Sequence, residues 1–167
     1  KIKQHKKVTH YTYGRYGSTT TIELENILKE LEKAYHVFLT GTGFGGIALA
    51  LMSLCRPGDE ILVSDNVYGP TKEISEKLLK EFNINAKFYD PDTFEDLKSK
   101  ITKKTKMILV ENPGSITFEF QDLSKIVNLA KKKNIYTLLD NTWGTPLYLQ
   151  PLKLGFDMSF SLSLIHI

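Results

Sequence analysis

The chain has 167 residues, of which 41% are hydrophobic and 25% are charged, and its formal net charge is +3. This composition is ordinary for a globular protein, and the length allows one domain with a sizeable core. The small charge argues against a nucleic-acid partner, the single cysteine excludes a disulfide framework, and the four histidines show no metal-ligand spacing. Without a signal peptide or an apolar stretch long enough to span a bilayer, we expect no membrane partner and a cytoplasmic location.

The first forty residues combine an unpatterned start with one amphipathic segment. Residues 1–19 show no periodic pattern, and we assign them to part of an N-terminal arm. Thr20 and Glu23 form a candidate capping box, and apolar positions at helical spacing predict a helix over residues 21–35. The short apolar run at residues 37–39 predicts a strand.

From residue 40 onward, helical patterns alternate with short apolar runs. Helices are predicted over residues 44–55, 70–82, 92–101 and 122–133. Strands are predicted over residues 60–64, 85–89, 106–110 and 135–140. This alternation predicts right-handed βαβ units, so we expect an α/β fold with a mainly parallel sheet flanked by helices. We assign residues 20–160 to this domain.

The strand that ends at Asp140 points to function. Its apolar run suits a central strand buried on both faces, and it delivers Asp140 to the carboxyl edge of the sheet, where open α/β folds bind their ligands. A carboxylate in such a place is costly unless a cation meets it. The glycine-rich loop at residues 41–46, Tyr68 and Ser115 also follow predicted strands, so we expect all of them to line one edge.

The glycine-rich loop has two functional interpretations and one structural interpretation. A strand, a glycine loop and a helix start form an anion site, because free N–H groups face the ligand. Residues 41–46 match the G-x-G-x-x-G spacing of a dinucleotide site, and Asp65 is placed for the ribose. The other ligand is a single phosphate on a cofactor whose ring lies further along the edge, near Tyr68 and Asp140. The glycines could also serve helix–strand packing alone.

Five motifs occur in a characteristic order along the chain. They are Tyr13-Gly-Arg15 with Gly17, Thr42-Gly43-Phe44, Asp65-Asn-Val-Tyr68-Gly-Pro70, Glu111-Asn-Pro-Gly-Ser-Ile-Thr-Phe-Glu119 and Leu139-Asp140-Asn-Thr-Trp143. Through these motifs the chain resembles the Cys/Met-metabolism family of pyridoxal-phosphate (PLP) enzymes of fold type I. The resemblance extends from Tyr11 to about Ser159, and the last two motifs are most similar to the cystathionine β-lyase branch.

The resemblance implies a cofactor site that two subunits share. Gly43 and Phe44 would donate backbone N–H groups to the PLP phosphate. Tyr13 and Arg15 would reach the same phosphate from a neighbouring subunit, which implies a homo-oligomer, such as a homotetramer. The planar guanidinium of Arg15 suits a phosphate.

The resemblance also implies roles around the cofactor ring. Tyr68 would stack on the ring near the reacting carbon, and Asp140 would keep the ring nitrogen protonated, so these two are the candidate catalytic residues. A carboxylate beside that nitrogen raises the pKa of the nitrogen, because it stabilises the charged form. Ser115 stands where many relatives carry an Asn near the ring 3-hydroxyl, and the resemblance extends that role to Ser115.

The expected reaction is the β-elimination of cystathionine to homocysteine, pyruvate and ammonia, a step of transsulfuration and methionine biosynthesis. A γ-synthase or γ-lyase of the same family is the first alternative. An NAD(P)-binding Rossmann domain and a non-catalytic remnant are alternatives from other classes. The Rossmann alternative leaves Tyr13, Tyr68, Ser115 and Asp140 unexplained.

The chain departs from the family near its last residues. The family's cofactor-binding lysine follows a strand similar to residues 156–159 and would fall at about Ile165, whereas no lysine follows Lys153. Residues 161–167 do not resemble the family, and we interpret them as an aberrant tail. We therefore expect an incomplete PLP-binding large domain, a fragment without lyase activity of its own.

Overall fold

A computed structural model describes Gly14 and residues 17–163 of the chain. The chain divides into two units, Lys1–Leu39 and Thr40–Ile167. Among the helices of the described residues, none combines the length and the apolar character that a membrane span requires. The arm, domain and tail expected from the sequence, with boundaries after residues 19 and 160, stay predictions.

The described residues of the first unit contain helix α1 (Thr19–Glu32). Ser18 caps this helix, in place of the predicted Thr20. Ser18 Oγ accepts the Thr21 backbone N–H at 3.2 Å, and Thr21 Oγ1 accepts the Ser18 backbone N–H at 2.8 Å. The hydroxyl of Thr21 thereby fills the reciprocal position that the capping-box pattern assigned to the carboxylate of Glu23.

The predicted strand at residues 37–39 is wrong. Residues 36–40 have no regular secondary structure, and Phe38 is 73% exposed. The ring of His36 packs edge-on against that of Phe38, with the centroids 4.4 Å apart. Three apolar residues do not make a strand by themselves, because a strand needs neighbours that complete its hydrogen bonds.

The described part of the second unit contains a five-stranded sheet in which every pairing is parallel. Its strands are β1 (Glu60–Ser64), β2 (Asn85–Tyr89), β3 (Thr105–Glu111), β4 (Tyr136–Asp140) and β5 (Met158–Phe160). They lie in the order β2-β1-β3-β4-β5. The predicted fold class, an α/β protein with a parallel sheet, is therefore confirmed. The first two strands have the predicted bounds.

Helices connect these strands and cover the sheet. They are α2 (Gly43–Leu54), α3 (Gly69–Glu73), α4 (Leu79–Glu81), α5 (Phe94–Lys100), α6 (Leu123–Lys133), α7 (Thr145–Tyr148) and α8 (Pro151–Leu154). The single helix predicted over residues 70–82 is instead α3 and α4 joined by a π-helical turn, Ile74–Leu78. There the Ser75 hydroxyl donates to the Thr71 carbonyl at 2.8 Å and competes with the regular helix bonds.

The central strands are buried on both faces, and alternate residues enter two separate hydrophobic clusters. One cluster packs Leu109 of β3 and Leu138 of β4 against Leu51 of α2, and the other contains the apolar side chains of α5 and α6. Glu111 lies two residues after Leu109, and Asp140 lies two residues after Leu138. Both carboxyl side chains therefore end on the face that α2 covers.

Candidate functional site

The carboxyl ends of β1, β3 and β4 bring together residues that are far apart in the sequence. Tyr68 follows β1, Ser115 follows β3, and Asp140 is the last residue of β4. The register pairs Asp140 with Glu111 on one neighbouring strand and with Phe160 on the other. Three of the residues predicted for the site thus lie at a single edge of the sheet.

The first turn of α2 presents backbone N–H groups that have no partner in the described residues. Thr42 caps the helix, since its Oγ1 accepts the Gly45 N–H and its carbonyl accepts the Gly46 N–H, both at 3.0 Å. The N–H groups of Gly43 and Phe44 have no acceptor among the described residues. These two groups are available to an anion, as the first N–H groups of a helix commonly are.

Gly46 allows the start of α2 to pack closely on β5. A Cβ at this position would lie 2.5 Å from Phe160 Cε2 and 3.0 Å from Thr40 Oγ1. Because Phe160 is the register partner of Asp140, this packing brings the start of α2 to the edge that holds the carboxyl group. The structural interpretation of the glycines applies to Gly46, and it is compatible with an anion site at Gly43 and Phe44.

Two observations count against a dinucleotide in the glycine loop. The fingerprint requires a strand directly before the loop, whereas residues 36–40 are irregular. Asp65, which would bind the ribose, instead forms an ion pair with Lys72, with Nζ 2.5 Å from Oδ1. The anion site therefore lacks the surroundings that a Rossmann fold provides.

Asp140 is a buried carboxyl group with one oxygen already bonded. The residue is 7% exposed, and its Oδ1 accepts the Thr142 backbone N–H at 3.0 Å and the Thr142 hydroxyl at 2.6 Å. Burial raises the pKa of Asp140, and the two bonds from Thr142 act in the opposite direction. Its Oδ2 has no hydrogen bond to a described residue, so a cationic N–H group can approach this oxygen.

Tyr68 is fixed through its backbone while its ring stays open. Its N–H donates to Glu111 Oε2 at 2.7 Å, and the residue is 55% exposed. Pro70 follows in the first turn of α3, where its restricted φ favours the helical start. The turn after β1 thus carries a half-exposed aromatic residue whose backbone is bonded to the carboxyl edge.

Glu111 is a candidate that the sequence reasoning missed. The residue is 4% exposed, and burial raises its pKa to about 7. The negative charge of Asp140 adds to this increase, and the bond from the Tyr68 N–H opposes it. An acid at the end of an apolar strand had singled out Asp140, and the same signal marks Glu111. Thr142 was also missed, because its bonds to Asp140 are visible only in the structure.

Ser115 lies in a loop that is fastened to the turn after β1. Its N–H donates to the Asn66 carbonyl at 2.8 Å, and Asn66 Nδ2 donates to Glu119 Oε2 at 3.3 Å. Ile116 and Phe118 have φ values of 69° and 61°, a left-handed conformation that is unfavourable for such side chains. Several contacts therefore hold the loop in a conformation that its residues would not adopt freely.

Tyr13 and Arg15 lie outside the described residues. Their predicted role, contact with a phosphate from a neighbouring subunit, stays a prediction. Ile165, the position expected for the family's lysine, also lies outside the described residues.

The described residues fit PLP at three points. The free N–H groups of Gly43 and Phe44 suit the phosphate, the free Oδ2 of Asp140 suits a protonated ring nitrogen, and the open ring of Tyr68 suits the face of the pyridine. A buried carboxyl group without a cationic partner is costly. A ligand that brings an anion to one end of the edge and a cation to the other is therefore well matched to it.

Comparison with known proteins gives one family and several relatives. The profile of the family described as Cys/Met metabolism PLP-dependent enzyme matches residues 1–163. The chain is 37% identical over 148 residues to a cystathionine beta-lyase of Bordetella avium, which covers 89% of this chain and 37% of the relative. It is 34% identical over 150 residues to a cystathionine gamma-lyase of Bacillus subtilis, which covers 90% of this chain and 39% of the relative.

Solved structures share the fold. The crystal structure of a protein described as a putative O-acetylhomoserine (thiol)-lyase of Campylobacter jejuni matches with a TM-score of 0.83 and 32% sequence identity. That structure contains N′-pyridoxyl-lysine-5′-monophosphate. The match covers 87% of this chain and 36% of that chain. The sequence thus spans about two fifths of the length of the proteins that it resembles.

Proposed function

The chain belongs to the Cys/Met metabolism family of PLP-dependent enzymes, and on this premise we propose that it forms the cofactor-binding part of a carbon–sulfur lyase. The proposed reaction is the β-elimination of cystathionine to homocysteine, pyruvate and ammonia. One observation carries the proposal. Asp140 is a buried carboxyl group whose Oδ2 has no hydrogen bond to a described residue, and it lies at the sheet edge that also receives the start of α2.

Each described residue of the site has a proposed task. Gly43 and Phe44 hold the phosphate through their N–H groups, and Tyr68 covers one face of the ring. Bound PLP supplies an electron sink for the electron pair that remains when the substrate loses its Cα proton. Asp140 keeps a proton on the ring nitrogen, because its carboxylate stabilises the cationic form. Ser115 is proposed to lie near the ring 3-hydroxyl.

Two further residues are proposed to act between subunits. Tyr13 and Arg15 of one chain would contact the phosphate held by Gly43 and Phe44 of its neighbour. A homo-oligomer is then required for a complete site. The support for this proposal is the resemblance of the Tyr13-Gly-Arg15 motif to the family.

The choice of substrate rests on motifs and on relatives. The Pro-Gly-Ser-Ile-Thr and Asp-Asn-Thr-Trp segments are similar to those of cystathionine β-lyases, and the Bordetella avium relative carries that name. The Bacillus subtilis relative is named a cystathionine gamma-lyase at nearly the same identity. A γ-elimination, which would release cysteine, a four-carbon 2-oxo acid and ammonia, is therefore the second candidate.

The cofactor assignment is tested by ligand-induced stabilisation. Pyridoxamine 5′-phosphate is the probe, because it has no aldehyde and cannot react with surface lysines. We expect it to raise the melting temperature of the purified chain, and we expect no change with NAD. Stabilisation by NAD alone would support the Rossmann alternative. The absence of a shift with either ligand would contradict the proposed cofactor site.

The reaction is tested in a chimera. Residues 1–160 of the chain replace the corresponding segment of the Bordetella avium relative, which supplies the rest of that protein, including the position of the family's lysine. We expect the chimera to form pyruvate from cystathionine, and we expect the D140N chimera to lose this activity. Formation of 2-oxobutanoate instead of pyruvate would establish the γ-elimination. A folded chimera that binds cofactor but forms neither product would contradict the lyase assignment.

A further inference from the structure

Glu111 and Asp140 form a pair of carboxyl groups on neighbouring strands. They are register partners in β3 and β4, and register partners in a parallel sheet point to the same face and lie one strand spacing apart, about 4.8 Å. The two residues are only 4% and 7% exposed. Such a pair is unfavourable when both members are ionised, because like charges repel strongly in a poorly solvated site.

Among the described residues, the groups around the pair provide no compensating positive charge. No described lysine or arginine forms an ion pair with either carboxyl group. After β1, Asp65 and Lys72 pair with each other. In the loop after β3, Glu119 accepts the Thr117 hydroxyl at 2.6 Å and the Asn66 amide. Helix α2, which covers this face, contains no charged residue.

Glu111 also connects the pair to the turn that carries Tyr68. Its Oε2 accepts the Tyr68 N–H at 2.7 Å across 43 residues of sequence. A neutral carboxyl group and an ionised one can both accept this bond, and the ionised group accepts it more strongly. The position of the Tyr68 backbone and the charge at the sheet edge are therefore linked through one side chain.

We propose that Glu111 is a positioning residue of the cofactor site. Its carboxyl group holds the Tyr68 backbone in place and shares a single proton with Asp140 until a cationic ring nitrogen binds. This inference rests on the proposed function for the identity of the cation. In the apo protein at pH 6, one carboxyl group of the pair is protonated and the other is ionised. When a cation approaches Asp140 Oδ2, both become ionised, and the proton of Glu111 is released to solvent.

The first test uses the apo protein and does not depend on PLP. The melting temperatures of the wild type and of E111Q, D140N and the double variant are measured between pH 4.5 and 8. Glu111 has a folded-state pKa above its unfolded value, so its contribution to stability is complete below the unfolded pKa and is lost as the pH rises through the folded one. We expect the melting temperature of E111Q to increase relative to that of wild type as the pH rises. We expect a smaller gain in the D140N background.

Glu60 provides the matched control. It is also a strand glutamate, but its bonds with Lys87 and Thr102 lower its pKa. The difference between E60Q and wild type should therefore develop below about pH 4.5, where E60Q loses melting temperature relative to wild type as the pH rises, and it should stay nearly constant between about pH 5 and 8. Parallel pH profiles for wild type and E111Q, or an E111Q gain that is unchanged by D140N, would overturn the proposal.

The second test measures the proton itself. Calorimetric titration with pyridoxamine 5′-phosphate at pH 6, in two buffers of different ionisation enthalpy, reports the protons released on binding. We expect wild type to release up to about one proton more than E111Q, which retains an acceptor for the Tyr68 N–H but cannot ionise. E111A, which also loses that acceptor, should bind about tenfold more weakly than E111Q.

The two tests separate the failure of the inference from the failure of the proposed function. If wild type does not bind pyridoxamine 5′-phosphate, the proposed cofactor site is wrong, while the apo pH profiles still decide whether the pair exists. If wild type binds and releases the same number of protons as E111Q, the cofactor site stands and the role of Glu111 is wrong.

Discussion

At the scale of single residues, the site is defined by two acids, Glu111 and Asp140, whose ionised forms have no partner of opposite charge among the described residues. Burial raises the pKa of Asp140 and brings that of Glu111 to about 7. Each unit of pKa shift corresponds to about 1.4 kcal/mol, so ionising the Glu111 side chain at pH 8 costs the folded protein on the order of 1–3 kcal/mol relative to the unfolded chain, since solvent screens part of the interaction. A bound cation removes much of this cost, and ligand binding should therefore stabilise the fold most at neutral and higher pH.

The substitution D140N tests the end of the site that is proposed to bind the cationic ring nitrogen. The amide cannot stabilise a positive charge on the ring nitrogen, so we expect the affinity for pyridoxamine 5′-phosphate to fall by about 10- to 100-fold. Fluorescence titration measures this change. D65N is the control, because Asp65 is paired with Lys72 and has no proposed contact with the ligand. Equal affinities for D140N and wild type would rule out Asp140 as the partner of the ring nitrogen.

Thr142 offers a second test of the same carboxyl group. Its hydroxyl donates to Asp140 Oδ1 at 2.6 Å and accepts the Leu162 N–H at 3.0 Å. T142V keeps the shape of the side chain but removes both bonds, so it should destabilise the protein by about 1–3 kcal/mol and raise the pKa of Asp140 further. T142S retains the hydroxyl and should stay close to wild type. Urea unfolding measures the stability of both variants. A T142V variant as stable as wild type would show that the hydroxyl contributes nothing to stability.

At the scale of elements, the sequence predicted the parts that a local pattern determines. The strand at residues 60–64 is an apolar run closed by turn residues on both sides, and the structure forms it with the same bounds. The strand predicted at residues 37–39 fails, because apolar character does not supply a pairing partner. The π-helical turn Ile74–Leu78 interrupts a predicted helix without changing its apolar periodicity, so the sequence pattern did not predict it.

The residues of the candidate site also fall into those that a local pattern predicts and those that it does not. Asp140 could be singled out from the sequence because it is an acid at the end of a buried strand. Glu111 has the same local signal, but its importance arises from the Tyr68 N–H and from the register with Asp140. Both relations cross between strands, and a single sequence does not encode strand order in any local pattern. The tertiary neighbours therefore had to come from the structure.

The contact between α2 and β5 can be tested at Gly46. A Cβ there would lie 2.5 Å from Phe160 Cε2, so we expect G46A to destabilise the protein by about 1–3 kcal/mol, the usual range for overpacking. Gly41 is the matched control, because a Cβ at that position meets nothing within 4 Å. Thermal unfolding should show a loss for G46A and none for G41A. The double variant G46A/F160L should recover part of the loss if the ring is the obstacle.

At the scale of the whole molecule, the described residues include the part of the proposed site that one chain would provide. The N–H groups of Gly43 and Phe44 and the carboxyl group of Asp140 lie in the unit Thr40–Ile167, whereas Tyr13 and Arg15 belong to the unit Lys1–Leu39. The family resemblance assigns those two residues to the site of a neighbouring chain. This assignment has a consequence for mixed oligomers, because each site would then combine residues of two different copies.

Subunit complementation tests this arrangement in the chimera proposed above. R15A and D140N chimeras should each be inactive when pure. In a mixed pair, one site combines the intact Asp140 of the first chain with the intact Arg15 of the second, and the other site carries both defects. For random 1:1 mixing of closed two-chain units we expect about one quarter of the wild-type rate of pyruvate formation. Differently tagged chains verify that mixed oligomers form. Mixed oligomers without activity would show that Arg15 does not act from the neighbouring subunit.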